Sequence, residues 1–343
     1  MLSKIILKKD NLISNINYAK SIKDGKICFM VKANAYGHGV EEVVRISQDY
    51  VDYYGVSNQK EGELVRKISD KPVIVFGKCD DYFYCMANKI EFAVMSFAQA
   101  KEIVKIYRNS GVKPLMHVCI NSGMNRYGVK ENVNVKKIVS LLEKNNLSLA
   151  GVYTHFSSLS TDERYTEKQW EKFQGVLQLI PNEWNVITHI GGGGTIHRDY
   201  KVDMFRVGLL CYGYGDDNLS PVMEVRSQIV DIQKVKKGEH IGYLCGFTAE
   251  KDMLIGTIPL GYGDGLPRKL SNNFSVKINN KKAEVVGNIC MDAFMVRLDG
   301  VKCKIGEEVV VMANATELKC KLQTTEYEVL TNFTKFRGDR VIF

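Results

Sequence analysis

No stretch of this 343-residue chain approaches the ~20 consecutive apolar residues that a membrane helix needs, so no membrane partner is expected. The nine cysteines form no C-x-x-C pair, and the six histidines form no cluster at zinc-ligand spacing. A structural metal site and a disulfide framework are therefore not expected. Reduced thiols in a cytoplasmic protein, most of them small core residues, are the plain expectation. No dense basic block accompanies the net charge of +8, which comes from 47 Lys+Arg against 39 Asp+Glu. The compact runs Lys234–Lys237 and Lys277–Lys282 are broken by apolar or Asn residues and read as solvated strand faces, so no nucleic-acid partner is expected. Met1–Asp10 is short and already charged by Lys4, unlike a secretory signal. Internal repeats and low-complexity linkers are missing too.

What is present is ordinary in amount and informative in order. The 45% hydrophobic and 25% charged fractions suit a soluble globular protein. A single core stops growing near ~250–300 residues, so the length favours two domains. Up to Tyr214, near-continuous apolar runs alternate with amphipathic stretches. Strands are expected at Ile27–Val31, Tyr53–Ser57, Val73–Phe76, Phe92–Met95, Leu115–Ile120, Leu149–Thr154, Val186–His189 and Phe205–Leu210. Helices are expected at Val40–Ser47, Glu61–Ile68, Gln99–Asn109, Val135–Lys144 and Glu167–Leu179. Eight such units imply an α/β fold, a (β/α)8 TIM-type barrel with its site at the C-terminal strand ends; a doubly wound sheet is the alternative. After Pro221 strand-like stretches dominate: Gln228–Val235, Met253–Pro259, Phe274–Ile278, Ala283–Ile289, Phe294–Leu298 and Glu308–Met312, with a turn at Asn279-Asn280. The expected domains are a barrel over residues 8–221 and a mainly β domain over 222–343, which a strand within residues 1–7 could join.

Lys32 directly follows the apolar run Ile27–Val31. Burial lowers a lysine pKa and favours the neutral amine that attacks carbonyl groups, although such a lysine could also snorkel outward. On the far side of the expected barrel, strand seven runs into Gly191–Gly194 and Thr195, and strand eight carries Arg206, Gly208 and Leu209. Barrels often bind phosphate at these two loops, where glycines let backbone N–H groups approach the anion. A carbonyl-seeking lysine facing a phosphate cradle implies pyridoxal 5′-phosphate.

The motif "VKANAYGHG" around Lys32 resembles the cofactor-lysine signature of the alanine racemase family. "SGMNRYG", "THFSS", "DMFRVGLLCYG", "IPLGYGDG" and "GNICMDAFMV" follow in the family's order. The resemblance implies a barrel-plus-β-domain racemase of alanine, with serine as a further candidate. It implies supply of D-alanine for peptidoglycan in a bacterium, and a homodimer with shared sites. In that frame Lys32 holds the cofactor and acts as one base. Tyr262, delivered by the partner subunit, is the base on the opposite face. Tyr36 and Gly193 contact the phosphate, His155 and Arg206 are linked to Tyr262, and Arg206 also meets the ring nitrogen. Arg126 and Met291 bind substrate, with Asp292 nearby.

Several positions depart from the family pattern. Gly192-Gly193 stands where many relatives have Asn-Ser, so Thr195 is expected to compensate. Cys119 stands where many relatives carry a carbamylated lysine, seven residues before Arg126. The usual Arg-Val-Pro-Arg ending is lost, and Lys335 is expected in place of a pocket tyrosine. Two other readings remain: a barrel-type decarboxylase of basic amino acids, which would need a Glu at the ring nitrogen, and a non-catalytic carrier of the cofactor, which would stop after the barrel.

Overall fold

Eight apolar segments do become parallel strands, and the computed structural model, which describes residues 2–192 and 194–343, closes them into a barrel. A first strand, β1 (Lys4–Leu7), lies outside that barrel. The barrel strands are β2 (Lys26–Met30), β3 (Tyr53–Val56), β4 (Val73–Val75), β5 (Glu91–Val94), β6 (Met116–Cys119), β7 (Gly151–His155), β8 (Ile187–Gly191) and β9 (Met204–Val207). The ring closes where β2 pairs with β9, Cys28 opposite Arg206. Helices such as Val40–Ser47, Phe97–Ser110 and Glu163–Leu177 cover the outside, so the strands are buried on both faces and need no polar alternation. The doubly wound alternative is thereby excluded. The last strand ends three residues earlier than expected, because a tight turn begins at Gly208 (Cys211 N–H to the Gly208 carbonyl, 2.9 Å).

A nine-stranded sheet follows the barrel. The single strand expected over Gln228–Val235 is two. Met223–Gln228 pairs with Glu308–Met312, whereas Asp231–Val235 pairs with Met253–Ile258. Between them Ile229 bonds to Glu307 and Val230 to Thr257, so the chain changes partners within two residues. The Asn279-Asn280 turn forms as expected, with both φ angles positive and Ile278 opposite Lys281. β1 is inserted into this same sheet, antiparallel to Met223–Gln228 and parallel to Asp339–Ile342. Its Ile5 and Leu7 are fully buried; each such side chain stabilises by about 1.5–3 kcal/mol. Two short helices, Ala315–Leu322 and Glu326–Asn332, had no counterpart in the pattern reading. Among the described residues, no helix is long and apolar enough to cross a membrane.

Candidate active site

Strand β2 delivers Lys32 to the C-terminal mouth of the barrel, and the backbone immediately after it is unusual. Ala33, Asn34, Ala35 and Tyr36 all have φ near 50°. Left-handed conformation costs non-glycine residues roughly 1–2 kcal/mol each, so the turn persists only because its surroundings hold it. Glu61 accepts the Ala33 N–H at 2.8 Å, and the Asn34 side chain accepts the Val40 N–H at 2.8 Å. The turn swings the Tyr36 ring back towards Gly208, where a Cβ would come within 2.7 Å of the Tyr36 hydroxyl.

A cavity of about 730 Å³ opens over these residues, within the range of small-molecule sites. Lys32, Tyr36, Arg126, His155 and Arg206 line it, as do Thr195, Gly208 and Leu209. The structure thus brings eight of the sequence-predicted residues together; Gly193 lies outside the described residues. No aspartate or glutamate lines the cavity among the described residues. Among the described residues the Lys32 and Arg126 side chains make no hydrogen bond or ion pair there; the Arg126 guanidinium lies 5.7 Å from the Tyr127 ring. Burial, then Arg126 and Arg206, hold the Lys32 amine below the usual lysine range, with Glu61 opposing.

Arg206 is the most enclosed of the three cations. It lies against the Phe76 and Tyr153 rings (5.0 and 4.8 Å) and donates from Nη2 to the Thr154 carbonyl at 2.6 Å. A Cβ on Gly191 would lie 2.6 Å from that guanidinium, so only glycine fits there. Nη1 donates to His189 Nδ1 at 3.0 Å, which leaves His189 Nε2–H to donate to His117 Nδ1 at 2.9 Å. His117 Nε2–H then donates to Glu91 Oε2 at 2.6 Å. This chain of donors runs one way across the barrel interior, from guanidinium to carboxylate, and holds Arg206 in place. Burial, then the neighbouring His117 and Arg206, hold the His189 imidazole well below its usual range, so it is neutral. Gly151, opposite His117 in the β6–β7 register, gives that imidazole its space: a Cβ there would lie 2.2 Å from Nδ1.

His155 receives a longer contact from Arg206 Nη2 (3.4 Å to Nδ1), leaving the proton on Nε2. Burial, followed by Arg206, Arg126 and Lys32, pushes its pKa down to about 3, so it is neutral. On the opposite wall, burial pushes the Cys119 thiol up, keeping it protonated against Tyr153. Cys119 therefore brings no negative charge to Arg126. At the glycine loops, the Gly208 and Leu209 N–H groups and the Tyr36 hydroxyl have no acceptor among the described residues. Thr195 caps the first loop, bonding to the Gly192 carbonyl at 3.2 Å.

Tyr262, Met291 and Asp292 form a second cluster that does not line this cavity. Tyr262 N–H donates to Cys290 and Gly263 N–H to Met291 (3.0 and 2.9 Å), so the two loops are stitched together. Both side chains face outward, Tyr262 at 37% and Met291 at 52% exposure.

Known proteins share this architecture. Residues 7–216 match the family model "Alanine racemase, N-terminal domain", and residues 222–342 match "Alanine racemase, C-terminal domain". The chain belongs to the alanine racemase family. It is 35% identical to an alanine racemase of Thermodesulfovibrio yellowstonii over 322 residues, 90% of this chain and 87% of the relative. It superimposes on the alanine racemase of Clostridium difficile 630 with a TM-score of 0.93 at 32% identity, covering 100% of this chain and 96% of the other. That alanine racemase in complex with cycloserine gives 0.90 at 31% identity.

Against the alanine racemase pattern, the C-terminal expectation needs correcting. Lys335 is exposed on the turn Phe333–Lys335 and does not line the cavity. From the C-terminal segment it is Tyr327 that lines the cavity, its ring 5.6 Å from that of Tyr36. Arg337 and Arg340 also keep the arginine spacing of the ending read as lost. Glu91, His117 and Arg337 were missed as well; each is an isolated polar residue in an apolar or irregular stretch, and only the fold gives it a partner.

Proposed function

We propose that this protein is an alanine racemase that uses pyridoxal 5′-phosphate and works as a homodimer, with serine the first further substrate to test. One observation carries the proposal: a cavity lined, among the described residues, by three cations and no carboxylate, with Lys32 unpaired in it. That donor set suits a phosphate-bearing carbonyl compound and an amino-acid carboxylate. Lys32 would hold the cofactor through its amine. Tyr36, the Gly208 and Leu209 N–H groups, Thr195 and Gly193 would hold the phosphate. Arg206 would face the ring nitrogen and, being a permanent donor, keep it unprotonated. The chemistry the cofactor supplies is an electron sink that acidifies the α-hydrogen of an attached amino acid.

The chain's own groups do the rest. Arg126, free of any carboxylate, would take the substrate carboxylate. Lys32 removes or returns the α-proton on one face, and Tyr262 of the partner subunit does so on the other. Neutral His155, held by Arg206, would present Nε2–H towards that tyrosine. Met291 would form a wall of the partner's site, with Asp292 beside it. Residues 8–221 would then serve as the cofactor domain. Residues 222–343, with the strand from residues 1–7, would form the domain that completes a neighbour's site. Nine free cysteines suit a cytoplasmic enzyme. The absence of any Glu in the cavity among the described residues disfavours the decarboxylase reading.

The test is a chiral screen of the purified, pyridoxal-phosphate-loaded protein with L-Ala, L-Ser and larger L-amino acids. D-alanine formation is expected. Carbon dioxide release from a basic amino acid without inversion would contradict it, as would the lack of α-proton exchange with every amino acid.

A further inference from the structure

We propose that Arg337 is the positioning residue for the Tyr262 base, locking the Tyr262 turn and the Met291-Asp292 loop into one rigid unit. The proposal rests on the two-base reading above. Arg337 grips Asp264 with two parallel bonds, Nε to Oδ1 at 2.7 Å and Nη2 to Oδ2 at 2.9 Å. Its remaining nitrogen, Nη1, lies 2.8 Å from Asp292 Oδ1. One guanidinium thus spans two carboxylates on two loops, and each loop carries one of the residues expected to reach the partner's cavity. A lysine could not reproduce this, because three directed contacts need the planar fork.

Asp264 transmits the grip to the backbone. It is nearly buried, and its Oδ2 also accepts the Gly261 N–H at 2.9 Å, closing the half-turn Tyr262–Asp264 from below. Gly263 lies under the guanidinium, where a Cβ would come within 3.0 Å of Nη2. The arginine itself is 53% exposed, so its place is not explained by core packing. Without it, the turn keeps its two backbone bonds to Cys290 and Met291. Asp264, however, becomes a nearly buried carboxylate with no cation, and the turn loses its tie to the C-terminal segment.

The experiment compares Arg337→Gln, Arg337→Lys and the parent as pyridoxal-phosphate-loaded dimers, racemising each alanine enantiomer with α-deuterium and in deuterated water. Arg337→Gln should lower kcat about 10- to 100-fold while KM changes less than about threefold. Alanine enantiomers have equal free energies, so kcat/KM falls equally in both directions and the asymmetry lies in the isotope effects. The α-deuterium effect should rise for the enantiomer whose proton faces Tyr262. For the other, deprotonated by Lys32, solvent deuterium should appear in recovered substrate, because return from the tyrosine face is slowed. Arg337→Lys should show the same asymmetry at an intermediate rate, and it carries the test if Arg337→Gln does not fold. A parent-like rate, or isotope effects that change alike for both enantiomers, would overturn the proposal. Tyr262→Phe separates the two levels. If that variant racemises at the parent rate, the two-base reading fails. If it is slow while Arg337→Gln is normal, only the role of Arg337 fails.

Discussion

The barrel and the sheet hold their functional residues by opposite means. In the barrel, Arg206 is buried among rings and imidazoles, Lys32 is half-buried without an anion, and a strained left-handed turn sets Tyr36. Such a site carries uncompensated positive charge, which favours an anionic occupant. In the sheet, Tyr262 and Met291 lie at the surface, fixed by backbone bonds between loops and by the Arg337 ion pairs. That cluster does not line the barrel cavity. On the proposed two-base reading, one half is a binding pocket short of a second base and the other a preorganised base short of a pocket. Two copies of the chain would supply what each half lacks, which is the physical case for the proposed dimer.

Substitutions that separate the halves should act in different ways. The largest effect is expected for Lys32→Ala. Racemisation should fall below detection, and borohydride reduction should no longer attach the cofactor to the protein, as mass spectrometry would read. Tyr262→Phe should lower kcat by about 10²–10⁴-fold while cofactor retention stays at the parent level. Loss of cofactor in the tyrosine variant would blur the distinction. A smaller effect is expected on stability from Gly151→Ala. The new Cβ would meet the His117 imidazole, destabilising the fold by about 1–3 kcal/mol in chemical denaturation and loosening Arg206 through His189.

The gentlest test concerns acid. His38 is fully buried; its Nδ1–H donates to the Ala35 carbonyl at 3.0 Å, and its Nε2 has no partner among the described residues. Burial pushes its pKa down to about 3. The unfolded chain takes up that proton near about pH 6.5, so in the window between these values the unfolded state binds more protons. Stability present above about pH 6.5 is therefore lost as the pH falls, by up to about 1.4 kcal/mol per pH unit for this group. His38→Asn should flatten the slope of Tm against pH between 6 and roughly 4. An unchanged slope would mean that other groups, His155 among them, dominate.

Much of this was legible in the residues, and what was not has physical causes. The barrel strands announce themselves because both faces are buried and their apolar runs are unbroken. Lys32 stands out by following one of these runs, and Tyr262 by sitting in a specific glycine-rich motif. The left-handed turn after Lys32 was invisible: of its four residues only Asn34 has a type that tolerates positive φ, and Glu61 and Gly208 hold the others from a distance. The relay from Glu91 through His117 and His189 to Arg206 joins four different strands, so no local spacing could reveal it. At the C-terminus, Gly338-Asp339 in place of the family's Val-Pro pair disguises the two arginines, and nothing local shows that Tyr327 rather than Lys335 lines the cavity.

The shared site is the central claim, and subunit mixing tests it most directly. Lys32→Ala and Tyr262→Phe chains, each inactive alone, are dissociated, combined in equal amounts and reassociated. Each hybrid dimer then has one site with both defects and one site with neither. The account predicts recovery to about a quarter of the parent activity, from half the dimers being hybrid and half their sites intact. A mixture as inactive as its components would contradict it, since Lys32 and Tyr262 would then serve the same chain.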